Sequence, residues 1–103
     1  MYRLTVLYGH PDDPAHFDEH YRSVHAPLAG KVGGLTGYTW GKCETADGSK
    51  PPYYLVAELR AESKQALQGA LETPEGQAAV ADLPNFATGG TTMVWDEVQV
   101  EVG

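Results

Sequence analysis

Cysteine is nearly missing from this 103-residue chain: Cys43 stands alone, which excludes an internal disulfide and a cysteine-based zinc site and makes a reducing cytoplasm the expected setting. Basic residues are scarce too. Seven Lys and Arg stand against 14 Asp and Glu, a net charge of −7. No basic stretch forms, so phosphate neutralisation has nothing to work with, and nucleic acid and anionic membrane surfaces are excluded as partners. There is no apolar run of about 18 residues that would span a bilayer. Met1-Tyr2-Arg3-Leu4 lacks a charged and apolar leader, so a soluble, unexported protein is expected. At 42 % hydrophobic and 20 % charged residues the chain is not compositionally disordered. Its length supports one core, hence a single domain over residues 1–103. Histidine, by contrast, is concentrated: His10, His16, His20 and His25 are all four of the chain's histidines and fall in one short stretch.

Residues 2–8 alternate as a strand, with Leu4, Val6 and Tyr8 on one face and Arg3, Thr5 and Leu7 on the other. Asp13 before Pro14 is a helix start, because the carboxylate can accept first-turn amides and proline at the first position loses no bond. Phe17, Tyr21, Val24 and Leu28 then form an apolar stripe down a helix ending near Gly30. Pro27 is expected to kink or end the regular helix around Ala26. Residues 36–44 alternate again. Asp47-Gly48 and Pro51-Pro52 supply a turn, and residues 53–59 read as the antiparallel return strand. Ser63 caps a short helix carrying Leu67, Ala70 and Leu71, and Thr73-Pro74-Glu75 starts another carrying Ala78, Ala79 and Val80. Residues 91–102, with Val94, Val98, Val100 and Val102 in one parity, read as the last strand.

The order βαββαβ predicts an α+β, ferredoxin-like fold with a four-stranded antiparallel sheet. Both helical segments of that topology lie on one face of the sheet, so the other face is bare. According to register the strands offer it Tyr54 and Val56 or Tyr53 and Leu55, with Tyr38 and Trp40 or their neighbours. An apolar face of that size predicts a homodimer packed sheet to sheet.

His25 is the leading candidate for chemistry. It follows Tyr21 by four residues, beside the helix stripe that meets the sheet, and an imidazole there can serve as general acid or base toward an enolisable or phenolic substrate. The structural alternative is a bond to a backbone carbonyl where Pro27 ends the helix. His10, at the end of the first strand, is a weaker catalytic candidate at a pocket mouth or else a turn residue. Tyr8, Tyr21, Trp40 and Tyr54 are candidates to bind an apolar or aromatic ligand, or are core and interface residues. Glu58 faces away from Leu55, Ala57 and Leu59; an ion pair with Arg3 or Arg60 is the expected arrangement, a carboxyl with raised pKa the other. His16 and His20 have the i, i+4 spacing of two metal ligands, but lie on the solvent side relative to Phe17 and Tyr21, and no metal is expected. No Gly-x-Gly-x-x-Gly occurs, and Gly37-x3-Gly41-Lys42-Cys43 misses the phosphate-loop spacing, so no cofactor is indicated.

Several strings together resemble the EthD family over nearly the whole chain: Leu4-Thr5-Val6-Leu7-Tyr8-Gly9-His10-Pro11, the run Tyr21…His25-Ala26-Pro27-Leu28-Ala29-Gly30-Lys31-Val32-Gly33-Gly34-Leu35, Pro52 through Leu59, Thr73 through Ala78 and Asn85 through Gly90. Gly33 stands where the family pattern has proline. The resemblance implies a dimeric α/β barrel, in which two sheets enclose a central space and each subunit keeps a pocket between sheet and helices. It also implies a link to ethyl tert-butyl ether degradation beside a partner oxygenase. On this basis the expected function is binding of a small hydrophobic or aromatic molecule, as an enzyme or oxygenase accessory of oxidoreductase, isomerase or cyclase type using His25. A non-catalytic carrier is the alternative, and a haem- or metal-dependent oxygenase-like barrel the third reading.

Overall fold

A computed structural model describes residues 1–103. The elements in order are β1 (Tyr2–Tyr8), α1 (Pro14–His20), a π-helical turn (Tyr21–His25), α2 (Ala26–Gly30), β2 (Gly37–Lys42), β3 (Leu55–Ala61), α3 (Lys64–Glu72), α4 (Pro74–Asp82), a 3₁₀ turn (Leu83–Asn85) and β4 (Thr91–Glu97). The strands form one sheet in the order β2-β3-β1-β4 with every neighbour antiparallel. The α+β, ferredoxin-like order expected from the sequence is the one observed.

The helix starts follow from the predicted caps. Asp13 accepts the His16 amide at 3.2 Å, Ser63 the Ala66 amide at 3.0 Å and Thr73 the Gly76 amide at 3.1 Å. Gly76 also permits the close approach of α3 and α4, since a Cβ there would lie 2.4 Å from the Ala70 carbonyl oxygen. Between α1 and α2 the chain stays helical, but the regular α form gives way to a π turn that ends where Pro27 was expected to interrupt it. The Ala26 amide reaches five residues back to the Tyr21 carbonyl, and Pro27 sits in the first turn of the new α segment, where it has no bond to lose.

That wider turn changes which residues face inward. Phe17, Tyr21, His25 and Ala29 are buried at a constant stride of four, while Val24, expected in the stripe, is 40 % exposed. An α-helical stride would have carried His25 off the buried line; the π turn keeps it there.

Three further expectations are corrected. The return strand begins at Leu55, because Tyr53 is outside the ladder and Tyr54 ties into it from a loop, donating its amide to the Tyr8 carbonyl at 2.7 Å. The last strand ends at Glu97. Val98 makes one bond, its amide to the Met1 carbonyl at 3.0 Å, and beyond it β1 offers no backbone to pair with, so Val100 and Val102 are exposed. Third, of the alternatives for the open face the structure takes Val56 with the neighbours of Tyr38 and Trp40, and none of the tyrosines or Trp40. Tyr38 and Trp40 lie in register with Leu59 and Ala57 on the helix side, and Tyr54 also packs against the core there. The open face carries Arg3, Glu58, Arg60 and Asp96 among Thr5, Leu7, Val56 and Val94. Arg3 donates to both carboxylate oxygens of Asp96 at 3.0 and 2.6 Å, and Arg60 donates to Glu58 at 2.9 Å.

The core lies between the sheet and the helices. Tyr8, Phe17, Tyr21 and Phe86 form an aromatic cluster, with Phe17 edge-on to Tyr8 at 5.6 Å and to Phe86 at 5.1 Å between centroids. Each such buried ring contributes roughly 2–3 kcal/mol by burial, plus about 1 kcal/mol for each favourable ring pair. No helix is long and apolar enough to cross a membrane.

Candidate functional site

Beneath the sheet is a cavity of about 60 Å³ lined by 14 residues, of which only His25 is not hydrophobic or tyrosine. Strand β1 supplies Leu4, Val6 and Tyr8 to its roof because alternate residues point down; the π turn supplies Tyr21 and His25, and β2 supplies Tyr38. Val80 of α4 and Met93 of β4 line it too and are 48 % and 42 % exposed, which places its mouth between these two elements.

His25 is fixed at both ring nitrogens. Nδ1 lies 3.0 Å from Oδ2 of Asp82, and Nε2 lies 3.5 Å from the Tyr8 hydroxyl. Asp82 is buried at the C-terminal end of α4, where the helix dipole is unfavourable to a carboxylate. Donors offset that cost: His20 Nε2 reaches Oδ1 and Oδ2 at 2.8 and 3.0 Å, and Asn85, delivered by the 3₁₀ turn, donates to Oδ1 at 2.9 Å. Burial pushes the Asp82 carboxyl up, but the bonds from Asn85, His20 and His25 outweigh it and hold the group below its ordinary value. Asp82 is therefore a carboxylate, so His25 presents its Nδ1–H to it and leaves Nε2 with a lone pair.

Burial also lowers the His25 pKa, and the opposing bond and charge of Asp82 do not restore it. A neutral imidazole in an apolar cavity is a base without water competing for it. The phenols behave oppositely. Burial, then the charge of Tyr38, pushes Tyr8 far above the ordinary tyrosine value against the opposing bond from Tyr21; burial and the hydroxyls of Tyr38 and Tyr8 do the same for Tyr21, and burial raises Tyr38. They remain donors. The Tyr21 and Tyr38 hydroxyls are 2.8 Å apart, so one phenol proton is free for a third oxygen.

The structure thus brings together three of the residues singled out in the sequence, Tyr8, Tyr21 and His25. The others lie elsewhere. His10 donates from Nε2 to the Pro51 carbonyl at 2.8 Å and packs beside Tyr54, tying the β2–β3 connection to the end of β1. Tyr54 donates to Asp18 at 2.7 Å and meets Phe17 edge-on. Trp40 borders a separate polar cleft with Asp18, Arg22 and Lys42, under the Arg22 guanidinium at 5.1 Å. Glu58 is on the opposite face of the sheet, in the expected ion pairs with Arg60 and, at 3.7 Å, Arg3. His16 and His20 do not act as a pair. Their rings are 5.9 Å apart; His16 turns to the Asn85 carbonyl, while His20, expected on the solvent side, turns in to Asp82.

Local sequence pattern does not single out Asp82, Asn85, Tyr38 or the inward role of His20. A signal for Asp82 existed: an acidic residue in the last turn of a helix opposes the dipole and calls for an explanation. The pairing with His25 spans 57 positions, and no local pattern encodes it.

Known proteins share this framework. The family model described as the EthD domain matches residues 10–90. A Rhodococcus erythropolis protein described as an uncharacterized 11.0 kDa protein in the thcB-thcC intergenic region is 47 % identical, covering 94 % of each chain. The crystal structure of an EthD family protein from Bacillus halodurans superposes with a TM-score of 0.89 at 33 % identity, covering 96 % of this chain and 99 % of that one. A dimeric ferredoxin-like protein of unknown function from Thermobifida fusca shares the fold at a TM-score of 0.72 and 15 % identity, covering 94 % of this chain and 90 % of that one. With a family model spanning most of its length and these relatives beside it, the chain belongs to the EthD family.

Proposed function

We propose that this protein binds a small, mainly apolar organic molecule in the cavity under its sheet, and that His25, oriented by Asp82, exchanges a proton with it. The observation that carries this reading is the buried His25–Asp82 pair with Nε2 turned toward an apolar cavity and the tyrosine donors beside it. A ligand with an acidic O–H or an enolisable C–H would meet a base at Nε2 and a phenol donor for the oxygen that gains charge. A purely structural histidine would need neither the cavity nor the donors.

The cavity is smaller than the roughly 150 Å³ that admits benzene. An aromatic ligand therefore enters by displacing Met93 and Val80 at the mouth, and the unbranched Met93 side chain suits that role. We further propose that the working unit is a homodimer. The neighbour from Thermobifida fusca is dimeric, and Met93, Val94 and Trp95 leave exposed apolar area on the edge strand β4. A partner oxygenase that makes or consumes the ligand is the setting the family suggests.

Phenol is a suitable probe. Binding followed by amide and methyl NMR is expected to perturb His25, Tyr8 and Met93, and Ala79→Leu, which adds volume in the cavity, is expected to weaken binding about tenfold. Exchange of the α-protons of a small ketone into deuterated water separates the two outcomes. Catalysis lost in His25→Gln supports an acid/base enzyme, whereas phenol binding without exchange supports a carrier. Phenol that perturbs only the open face contradicts the site.

A further inference from the structure

The second imidazole on Asp82 is not used by the base just described. His20 and His25 approach the same carboxylate from successive turns of one helix, His20 at 2.8 and 3.0 Å and His25 at 3.0 Å. Their surroundings differ. His25 is buried at 6 % exposure against the cavity, while the His20 side chain is 17 % exposed and stacked on Phe86 at 5.1 Å.

The charge balance at this site is constrained. The titratable groups facing His25 are the phenols of Tyr8 from β1 and Tyr21 from its own helix, with Asp82 from α4. Those facing His20 are Asp82 and, from its own helix, His16. Tyr38 from β2 reaches the group through Tyr21. Asp82 is thus the only carboxylate among them, and one carboxylate offsets one imidazolium. Two imidazolium rings on it would leave an uncompensated cation in a low-dielectric interior.

Resting on the reading of His25 as the base, we propose that His20 is a positioning residue that exchanges charge with His25: the pair carries one imidazolium at a time, with Asp82 as the shared counter-charge. When the pair holds one extra proton and the cavity is empty, that proton belongs to His20, which touches both carboxylate oxygens and is the less buried of the two rings. When a ligand's O–H or C–H proton moves to His25 Nε2, its bonding electron pair stays on the ligand. The His20 Nδ1 proton then leaves to water, and Asp82 remains a carboxylate throughout. The net result is one proton from ligand to solvent with no change in the charge of the His20–Asp82–His25 unit. On release of the protonated product the steps reverse. The buried base thereby communicates with bulk water without water entering the cavity.

The test is a histidine side-chain NMR titration of the whole protein without ligand. Replacing His20 by Gln keeps a donor for Asp82 and removes the competing cation, so the His25 midpoint is expected to rise by about one pH unit, a tenfold gain in proton affinity. His20→Asn, which also removes the competing cation, is expected to raise the His25 midpoint in the same direction. Should one of the two His20 variants fail to fold, the other suffices. A His25 midpoint that stays put in a folded His20 variant overturns the inference. Since no ligand is involved, that failure is separate from failure of phenol to enter the cavity, which overturns the binding reading and leaves the coupling standing.

Discussion

The two faces of the sheet are made by the same four strands, yet they treat charge in opposite ways. On the open face Arg3, Asp96, Glu58 and Arg60 form ion pairs in reach of water. On the inner face one carboxylate, Asp82, sits against two histidines in a setting lined by aromatic rings. Exposed pairs are each worth little, because water already solvates the ions and salt screens them. The buried group has no such alternative, so its partners decide both whether the carboxylate is tolerated and which nitrogen of His25 faces the ligand. Chemistry is therefore expected on the helix side of this sheet, and solubility or association on the other.

The sharpest break in that comparison is Asp82→Ala. It strands the donors of His25, His20 and Asn85 in the interior, and the loss of stability should be about 3 kcal/mol in urea unfolding. A loss under about 1 kcal/mol would mean that water already serves these groups. Adjacent strand residues make the next contrast. Leu55→Ala removes a fully buried side chain and is expected to cost about 3 kcal/mol, against about 1 kcal/mol for Val56→Ala on the open face. Equal costs, growing with protein concentration for Val56→Ala, would show the open face buried in the dimer, and light scattering at micromolar concentration reads the same property. A clean monomer there would remove the dimer.

A smaller effect concerns pH. The folded-state pKa of His25 is lowered, so below its ordinary value near 6.5 the unfolded chain binds the proton more readily. Stability should be at its full value above pH 6.5 and decline as pH falls toward the folded-state pKa. Asp82, also lowered, contributes a further decline at more acidic pH. His25→Gln should flatten the first part of that curve and leave the second; a curve unchanged near pH 6 would place the titration elsewhere. The smallest effect expected is that of Glu58→Gln, under about 1 kcal/mol and diminished further by salt.

Much of this was legible from local pattern. Period-two alternation put Leu4, Val6 and Tyr8 on the inner face, and the Asp13, Ser63 and Thr73 caps placed three helix starts. His25 was visible as the residue four beyond Tyr21. Its phase was not, because a helical stripe assumes 3.6 residues per turn, and the π turn before Pro27 replaces Val24 with His25 on the buried side. Trp40 and Tyr54 read as ligand-binding on chemistry alone, whereas register and a loop bond assign them to a separate cleft and to the core. Asp82 and Asn85 were not legible, since what makes them matter is a contact with a histidine on a distant helix.

Whether His25 is a neutral base whose Nε2 faces the cavity can be read from the ¹⁵N spectrum of its ring at pH 7 with and without phenol. A proton on Nδ1 and none on Nε2 is expected, with the Nε2 resonance moving when phenol is added. A ring protonated at both nitrogens, a proton on Nε2 instead, or an Nε2 resonance indifferent to bound phenol would contradict this reading.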